Sequence, residues 1–370
     1  SAVNKESNYT ISYVPNNFII TVMPITVTAD AGQHKVYGSA DPAIYTYTSV
    51  PAVGALLPNG ATVSFTGALS RVAGENVGTY AITQGSVANS NYTITYNGAD
   101  LTITPLAVTV TAAAKTKTYG DSDPALTFVA NPTVGTVLAN GQTISFLGSL
   151  TRTPGENVGT YAILQGSVDN SNYAITYTGA LLTINQLAVT VTADAKSKTY
   201  GDVDPALTFI SNPTVGTVLA NGQTISFLGS LTRAPGENVG TYAILQGSVA
   251  NSNYNISYVN GALTVNQRVL TVGGTFTVNN KEYDGTASAT FASNNLTLLT
   301  IVGTDNVTLT ATAVFVNKVV GTGKPVTLTG LSIAGADAAN YTLSLTGLPT
   351  TTANITARVL TIGGTFTASN

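Results

Sequence analysis

Cysteine and tryptophan are absent from this chain, and methionine and histidine occur once each. Without cysteine there is no disulfide and no thiol chemistry, so an extracellular protein of this composition must be held by core packing, a metal or another crosslink. One His and no Cys leave no zinc quartet, and no Ser-His-Asp or Cys-His nucleophile that recurs along the chain. Charge is also scarce, at 8% of residues with a net charge of -3, against about 25% in an average protein. No basic field exists to hold nucleic acid or anionic lipid, and neither is expected as a partner. Mean hydropathy is +0.24, yet no run approaches the roughly 18 apolar residues of a spanning helix, so no membrane insertion is expected of this fragment.

What the chain does have is repetition. LAVTVTAAAKTKTYG at Leu106 returns as LAVTVTADAKSKTYG at Leu187, and as a looser MPITVTADAGQHKVYG at Met23. Leu106 to Gln186 and Leu187 to Gln267 differ at 14 of 81 positions, which makes them near-copies of one module. The first copy slips by one residue before Tyr37 and by one more before Glu75. Such slips belong in loops, where insertion costs little. After Gln267 a second module type begins with RVLTVGGTFTVNNKEYDG at Arg268, and it starts again as RVLTIGGTFTASN at Arg358, a period of 90. SNYTISYV at Ser7 matches NSNYTITY around Tyr92.

These periods set the expected boundaries. Residues 1–22 read as the C-terminal part of a preceding repeat, and 23–105, 106–186 and 187–267 as three modules of one type. Residues 268–357 form a module of the second type, and 358–370 the start of another. Both end pieces are expected to be cut repeats of a longer polypeptide. Arrays of this kind serve length or multivalency more often than chemistry.

Within a module the pattern is period two. Val189 and Val191 alternate with Thr190 and Thr192, and Tyr254, Ile256 and Tyr258 with Asn255 and Ser257. One face of each strand is therefore buried and one wet. Asn97-Gly98 and Asn260-Gly261 are expected to turn type I′ hairpins, with Asn140-Gly141 and Asn221-Gly222 doing the same. Six or seven short strands per 81 residues fit an immunoglobulin-like sandwich. Because a residue or two separates one closing strand from the next opening one, the fold class expected is all-β, a tandem array of immunoglobulin-like β-sandwich modules forming an elongated rod.

Tyr37-Gly38, Tyr119-Gly120 and Tyr200-Gly201, each followed three residues later by Asp-Pro, then GENVGTYAI, NSNY and a closing LTI or LTV strand, carry a resemblance. Together they resemble the YGX-type MBG repeats of very large bacterial surface proteins. Tyr283-Asp284-Gly285 with AANYTLSLTG around Tyr341 is similar to the YDG repeat that accompanies them. The resemblance covers essentially the whole chain and implies a secreted, extracellular adhesin at the bacterial cell surface, of a kind that includes gliding-motility adhesins. It brings no catalytic motif and no cofactor.

Two sets of polar residues recur. Asp41, Asp123 and Asp204, which precede prolines, can with Asp121 and Asp202 contribute oxygens to a Ca²⁺ ion or close Asx-type turns on their own backbone. The turn is favoured, because the first copy has Ser39 where the others have Asp121 and Asp202. Glu75, Glu156 and Glu237 in GENVGTY can act as buried acids for an isopeptide bond from Lys35, Lys117 or Lys198 to an Asn such as Asn91, Asn172 or Asn253; the alternative is a solvated turn residue. Asn-preceded Tyr92, Tyr173 and Tyr254 are expected in the core rather than stacked on a sugar. His34 is expected in an exposed loop.

The expected function is a structural stalk or spacer of a cell-surface adhesin, non-enzymatic and without cofactor or bound metal. Its partners are other repeats of the same polypeptide, together with surface glycans or extracellular polymer. The alternative is a multivalent carbohydrate- or polymer-binding array, in which weak sites on each module gain avidity from number.

Overall fold

A computed structural model describes residues 9, 10, 12–365, 367 and 368. Ser7, Asn8 and Ile11 of the SNYTISYV match lie outside the described residues, as do Phe366, Ser369 and Asn370 of the stretch beginning at Arg358. No α-helix occurs among the described residues.

The first module shows how alternation becomes a sandwich. Its strands are β1 (Met23–Ala29), β2 (His34–Val36), β3 (Tyr47–Val50), β4 (Ser70–Arg71), β5 (Gly78–Thr83), β6 (Tyr92–Asn97) and β7 (Ala99–Thr104). They form a three-stranded sheet in the order β3-β1-β6 and a four-stranded sheet in the order β2-β7-β5-β4. The opening stretch changes sheets: β1 runs parallel to β6 in one, and after the turn at Asp30–Gln33 β2 runs parallel to β7 in the other. Along β1, Ile25, Val27 and Ala29 are buried while Thr26 and Thr28 face outward. Ile82 and Leu101 meet Ala29 from the opposite sheet, each almost fully buried. Removing such side chains from water, at roughly 25 cal/mol per Å² of apolar surface, is the main force available to a module with so little charge.

The same strand order recurs where the next two modules open, at Leu106–Ala112 and Leu187–Ala193. The module opening at Arg268 pairs Phe291–Leu299, Arg268–Val278 and Tyr341–Leu343 in one sheet. Its other sheet has five strands. A 3-10 turn at Ala338–Asn340 leads into Tyr341.

The expected type I′ hairpins are corrected. β6 and β7 lie in different sheets and do not pair with each other, so Gly98 is a one-residue crossing rather than a hairpin turn. Neither Gly98 nor Gly261 has a positive φ. Glycine serves there by being small: a Cβ on Gly261 would stand 2.8 Å from the carbonyl oxygen of Ala193. Asn140-Gly141 does turn the chain, but only Gly141 has a positive φ, of 83°. Leu138 and Gln142 bond across it, which makes a three-residue loop ending in left-handed glycine. His34 is exposed, and it opens β2 rather than lying in a loop.

By their contacts, the residues up to Lys117 and Ser122–Asn185 make one unit, and Thr118–Asp121 with Gln186 onward make another. Each holds two modules. In the first unit the core does not stop at a module boundary: Tyr37 and Ile103 of the first module belong to the same buried cluster as Val108, Val110 and Tyr173 of the next. In the second, Tyr200 and Val265 are continuous with Leu270 and Tyr341.

Candidate functional site

Each of the first three modules places two cations and two carboxylates in one knot. In the first, β2 carries Lys35 inward, with its side chain 4% exposed. Its ammonium lies 2.6 Å from Asp41 Oδ1 and 2.7 Å from Glu75 Oε2. Arg71, at the end of β4, bonds the same two acids from the other side, at 2.8 Å to Asp41 and 2.5 Å to Glu75. Its remaining nitrogen, Nη1, donates to the carbonyls of Val72 and Gly74, and its guanidinium sits 5.4 Å from the centre of the Tyr80 ring. A planar fork with five donors is required for this arrangement, and lysine could not replace it. Tyr45 adds a hydroxyl to Asp41 at 3.0 Å in this module alone, since Leu126 and Leu207 follow the matching Asp-Pro-Ala.

The second module repeats the knot with Lys117, Asp123, Arg152 and Glu156, and the third with Lys198, Asp204, Arg233 and Glu237. Arg71 holds the Asp41 carboxyl well below the usual carboxylate range, with Lys35 and Tyr45 adding to it. Burial on its own would lower the Lys35 pKa, but the bonds to Asp41 and Glu75 outweigh it and the pKa is raised. The quartet is therefore a closed set of two positive and two negative charges. It contains neither a spare acid nor a free base.

The knot is adjacent to a junction. In the first unit, Gly38 has φ +85°, and a Cβ there would stand 2.4 Å from Leu138 Cδ1 of the next module. The Gly38 carbonyl accepts from the Asn140 N–H at 3.0 Å, and Asn140 Nδ2 reaches Glu75 at 2.9 Å. Tyr37 and Tyr173 meet edge to face at 5.8 Å. Asn172 accepts from the Val77 N–H at 2.8 Å and donates to the Asn76 side chain at 3.2 Å.

In the second unit, Tyr119 meets Tyr254 at 5.8 Å and Gly120 accepts from Asn221. The module opening at Arg268 fits the third corner with different residues: Val302 stands against Gly201, and Asp305 accepts from the Tyr200 hydroxyl at 2.9 Å. Asn340 takes the place of Asn172, accepting from the Val239 N–H at 2.9 Å. Burial first, and the bond to Asp305 second, push the Tyr200 pKa up to about 12. Glu237 is 63% exposed, against 32% for Glu75, which Asn140 covers.

Comparison with family models decides the identity of the modules. The model described as MBG domain (YGX type) matches residues 25–102, 108–183 and 189–264, and the model described as YDG domain matches 266–353. The chain belongs to the MBG domain family, YGX type. A YDG domain completes the array. No relative is found among curated proteins. Among solved structures, the I9–I11 tandem from titin matches over 68% of this chain and 100% of that one, at 12% identity and a TM-score of 0.19, too low to bear on the fold.

The acids proposed from sequence separate into two kinds. Asp123 and Asp204 belong to the quartets, bonded by Lys117 with Arg152 and by Lys198 with Arg233. Asp121 accepts from the Thr118 N–H at 3.0 Å and closes the turn after Tyr119, while Asp202 pairs with Arg268 of the YDG domain at 2.7 Å. Among the described residues, no group of three or more His, Cys, Asp or Glu is placed to hold a metal ion.

The residues considered for a crosslink also part company. Lys117 meets Glu156 and Lys198 meets Glu237, whereas Asn172 gives its amide to Asn76 and Val77 of the preceding MBG module. Asn253 lies at the matching point, its carbonyl accepting from Leu187. Burial on its own would lower the Lys117 pKa, but its bonds to Asp123 and Glu156 outweigh it, and the bonds to Asp204 and Glu237 raise that of Lys198. Tyr173 and Tyr254 are buried as expected of core residues, and the aromatic partner each meets across the junction is Tyr37 or Tyr119.

The arginine of the quartet was not among the residues singled out from sequence. Its signal was present: Arg71, Arg152 and Arg233 each stand four residues before the recurring Glu.

Proposed function

We propose that this array is the structural stalk of a secreted bacterial cell-surface adhesin, carrying load between a binding element and the cell, and that it is not an enzyme. One observation carries the reading: within each unit successive modules are joined by direct contact. The strand Ala99–Thr104 leads through Pro105 alone into Leu106–Ala112, and Gly261–Asn266 through Gln267 alone into Arg268–Val278. Buried aromatic pairs then cement each joint. The quartets support it too, since compensated charges tied to backbone carbonyls suit a fastening better than a reacting centre. The resemblance to repeats of very large bacterial surface proteins supports a location outside the cell, and motion along a gliding cell is one use of such a stalk.

Stretching single molecules of the chain from its two ends tests this. Four separate unfolding events are expected, one per module, each releasing about 25 nm of chain. Extension without discrete events would overturn the stalk. So would specific retention of the chain on a glycan array that is lost when exposed tyrosines become alanine, because that result would assign the modules a ligand.

A further inference from the structure

The residues that cover each MBG corner form a fixed set. Leu138, Asn140, Asn172 and Tyr173 cover the corner of the first module, and Leu219, Asn221 and Tyr254 meet Gly120 and Tyr119. At the same positions the first module carries Leu57, Asn59, Asn91 and Tyr92. They are already shaped for the task. Leu57 bonds across its loop to Ala61 as Leu138 does to Gln142, and Asn59 accepts from the Ala61 N–H at 3.1 Å as Asn140 does from Gln142. Met23 donates to Asn91 as Leu106 does to Asn172, and Phe65 fixes Tyr92 edge to face at 5.6 Å as Phe146 fixes Tyr173.

Among the described residues, no Tyr-Gly corner covers them. Asn59 and Asn91 are exposed where Asn140 is half-buried and Asn172 is buried. Leu57 and Tyr92 line a hollow of about 300 Å³, bordered by Ile20 and Thr21. A Tyr9–Thr10 stretch and residues 12–22 beside it form no strand.

We propose that this face of the first module is a docking face for the corner of another MBG module, one presenting Tyr-Gly beside Glu-Asn-Val. The Tyr would pack on Tyr92, the Gly would admit Leu57 and accept from the Asn59 N–H, and the Glu and Val N–H would be met by Asn59 and Asn91. A second copy of this chain does not supply the partner. Its Tyr37-Gly38, Tyr119-Gly120 and Tyr200-Gly201 corners are already occupied by Leu138, Leu219 and Val302. The YDG domain has Lys318 and Val319 where an MBG corner has Glu75 and Asn76. The proposal rests on the junctions and holds whether or not the array is a stalk.

The absence of cysteine supplies the test. Leu57→Cys places a single thiol on the face, and its alkylation rate is measured in the 370-residue chain and in a chain where residues 106–186 are grafted ahead of Met23 in place of residues 1–22. The graft is expected to slow the reaction about tenfold, as burial does. Leu56→Cys is the control: Leu56 is 74% exposed and its counterpart Val137 remains 69% exposed beside an occupied corner, so its rate should not change. Adding Asn59→Ala and Asn91→Ala to the grafted chain should restore the fast rate. A second graft of residues 23–105 presents the same corner in a different sequence. If neither graft slows Leu57→Cys, whether it folds away from the face or fails to fold upon it, the proposal is wrong.

Discussion

At the scale of the residue, the MBG modules commit four charged side chains each to one place, in a chain with 8% charge. Lys117 is 3% exposed, and an ammonium so buried is tolerable only with its acids in place. Arg152 holds those acids together, bonding Asp123 and Glu156 while Nη1 caps the carbonyls of Thr153 and Gly155. Arg152→Lys keeps the charge and loses the fork. It should destabilise the second module by about 1–3 kcal/mol, the cost of stranding partly buried acceptors. Hydrogen exchange read by peptide mass checks this with an internal standard, since the third module keeps Arg233 in the same knot: protection should fall across 106–186 and hold across 187–267. Equal loss in both would show that the knot does not act locally.

At the scale of the element, the joint is made by side chains that a single module has no use for. Asn172 is buried because Asn76 and Val77 of its neighbour are there to bond it, while Asn91, at the same position in the first module, is exposed. Asn172→Ala leaves the Val77 N–H without its acceptor and should cost about 1–3 kcal/mol. Asn91→Ala should stay within about 0.5 kcal/mol. Urea unfolding of the whole chain, followed by exchange in the first two modules, compares them; similar costs would refute the role given to the joint.

Strands were legible because alternation is local: Ile25, Val27 and Ala29 declare their face within seven residues. The joint was not, because Asn140 and Glu75 are 65 residues apart and no local pattern around either one marks the partner it meets. The Asn-Gly pairs misled for a related reason. Asn97-Gly98 and Asn260-Gly261 stand one residue out of register with each other, with Gly98 at the crossing in one module and Asn260 in the other. Neither residue takes a positive φ at that crossing, so the feature that makes Asn-Gly a hairpin signal goes unused there.

At the scale of the whole molecule, the two domain types differ in what holds them. Quartet carboxylates titrate below their ordinary range: Asp41, Asp123 and Asp204 mainly through Arg71, Arg152 and Arg233, and Glu237 through Lys198 and then Arg233. An acid with a lowered folded-state pKa contributes its full stability above its unfolded value near 4, and loses it as pH falls through the folded one. The YDG domain has no such knot among its described residues; its Lys281–Asp284 pair is exposed enough for solvent to screen it. Between about pH 4.5 and pH 2 the MBG modules should therefore lose exchange protection before the YDG domain does. Because the acids are a third or more exposed in several cases, the loss should be graded, and 1 M salt should reduce the difference between the two domain types. Exchange measured at pH 7, 4 and 2.5 decides it. Uniform loss along the chain, or a YDG domain that opens first, would mean that the quartets contribute nothing to holding the MBG modules closed.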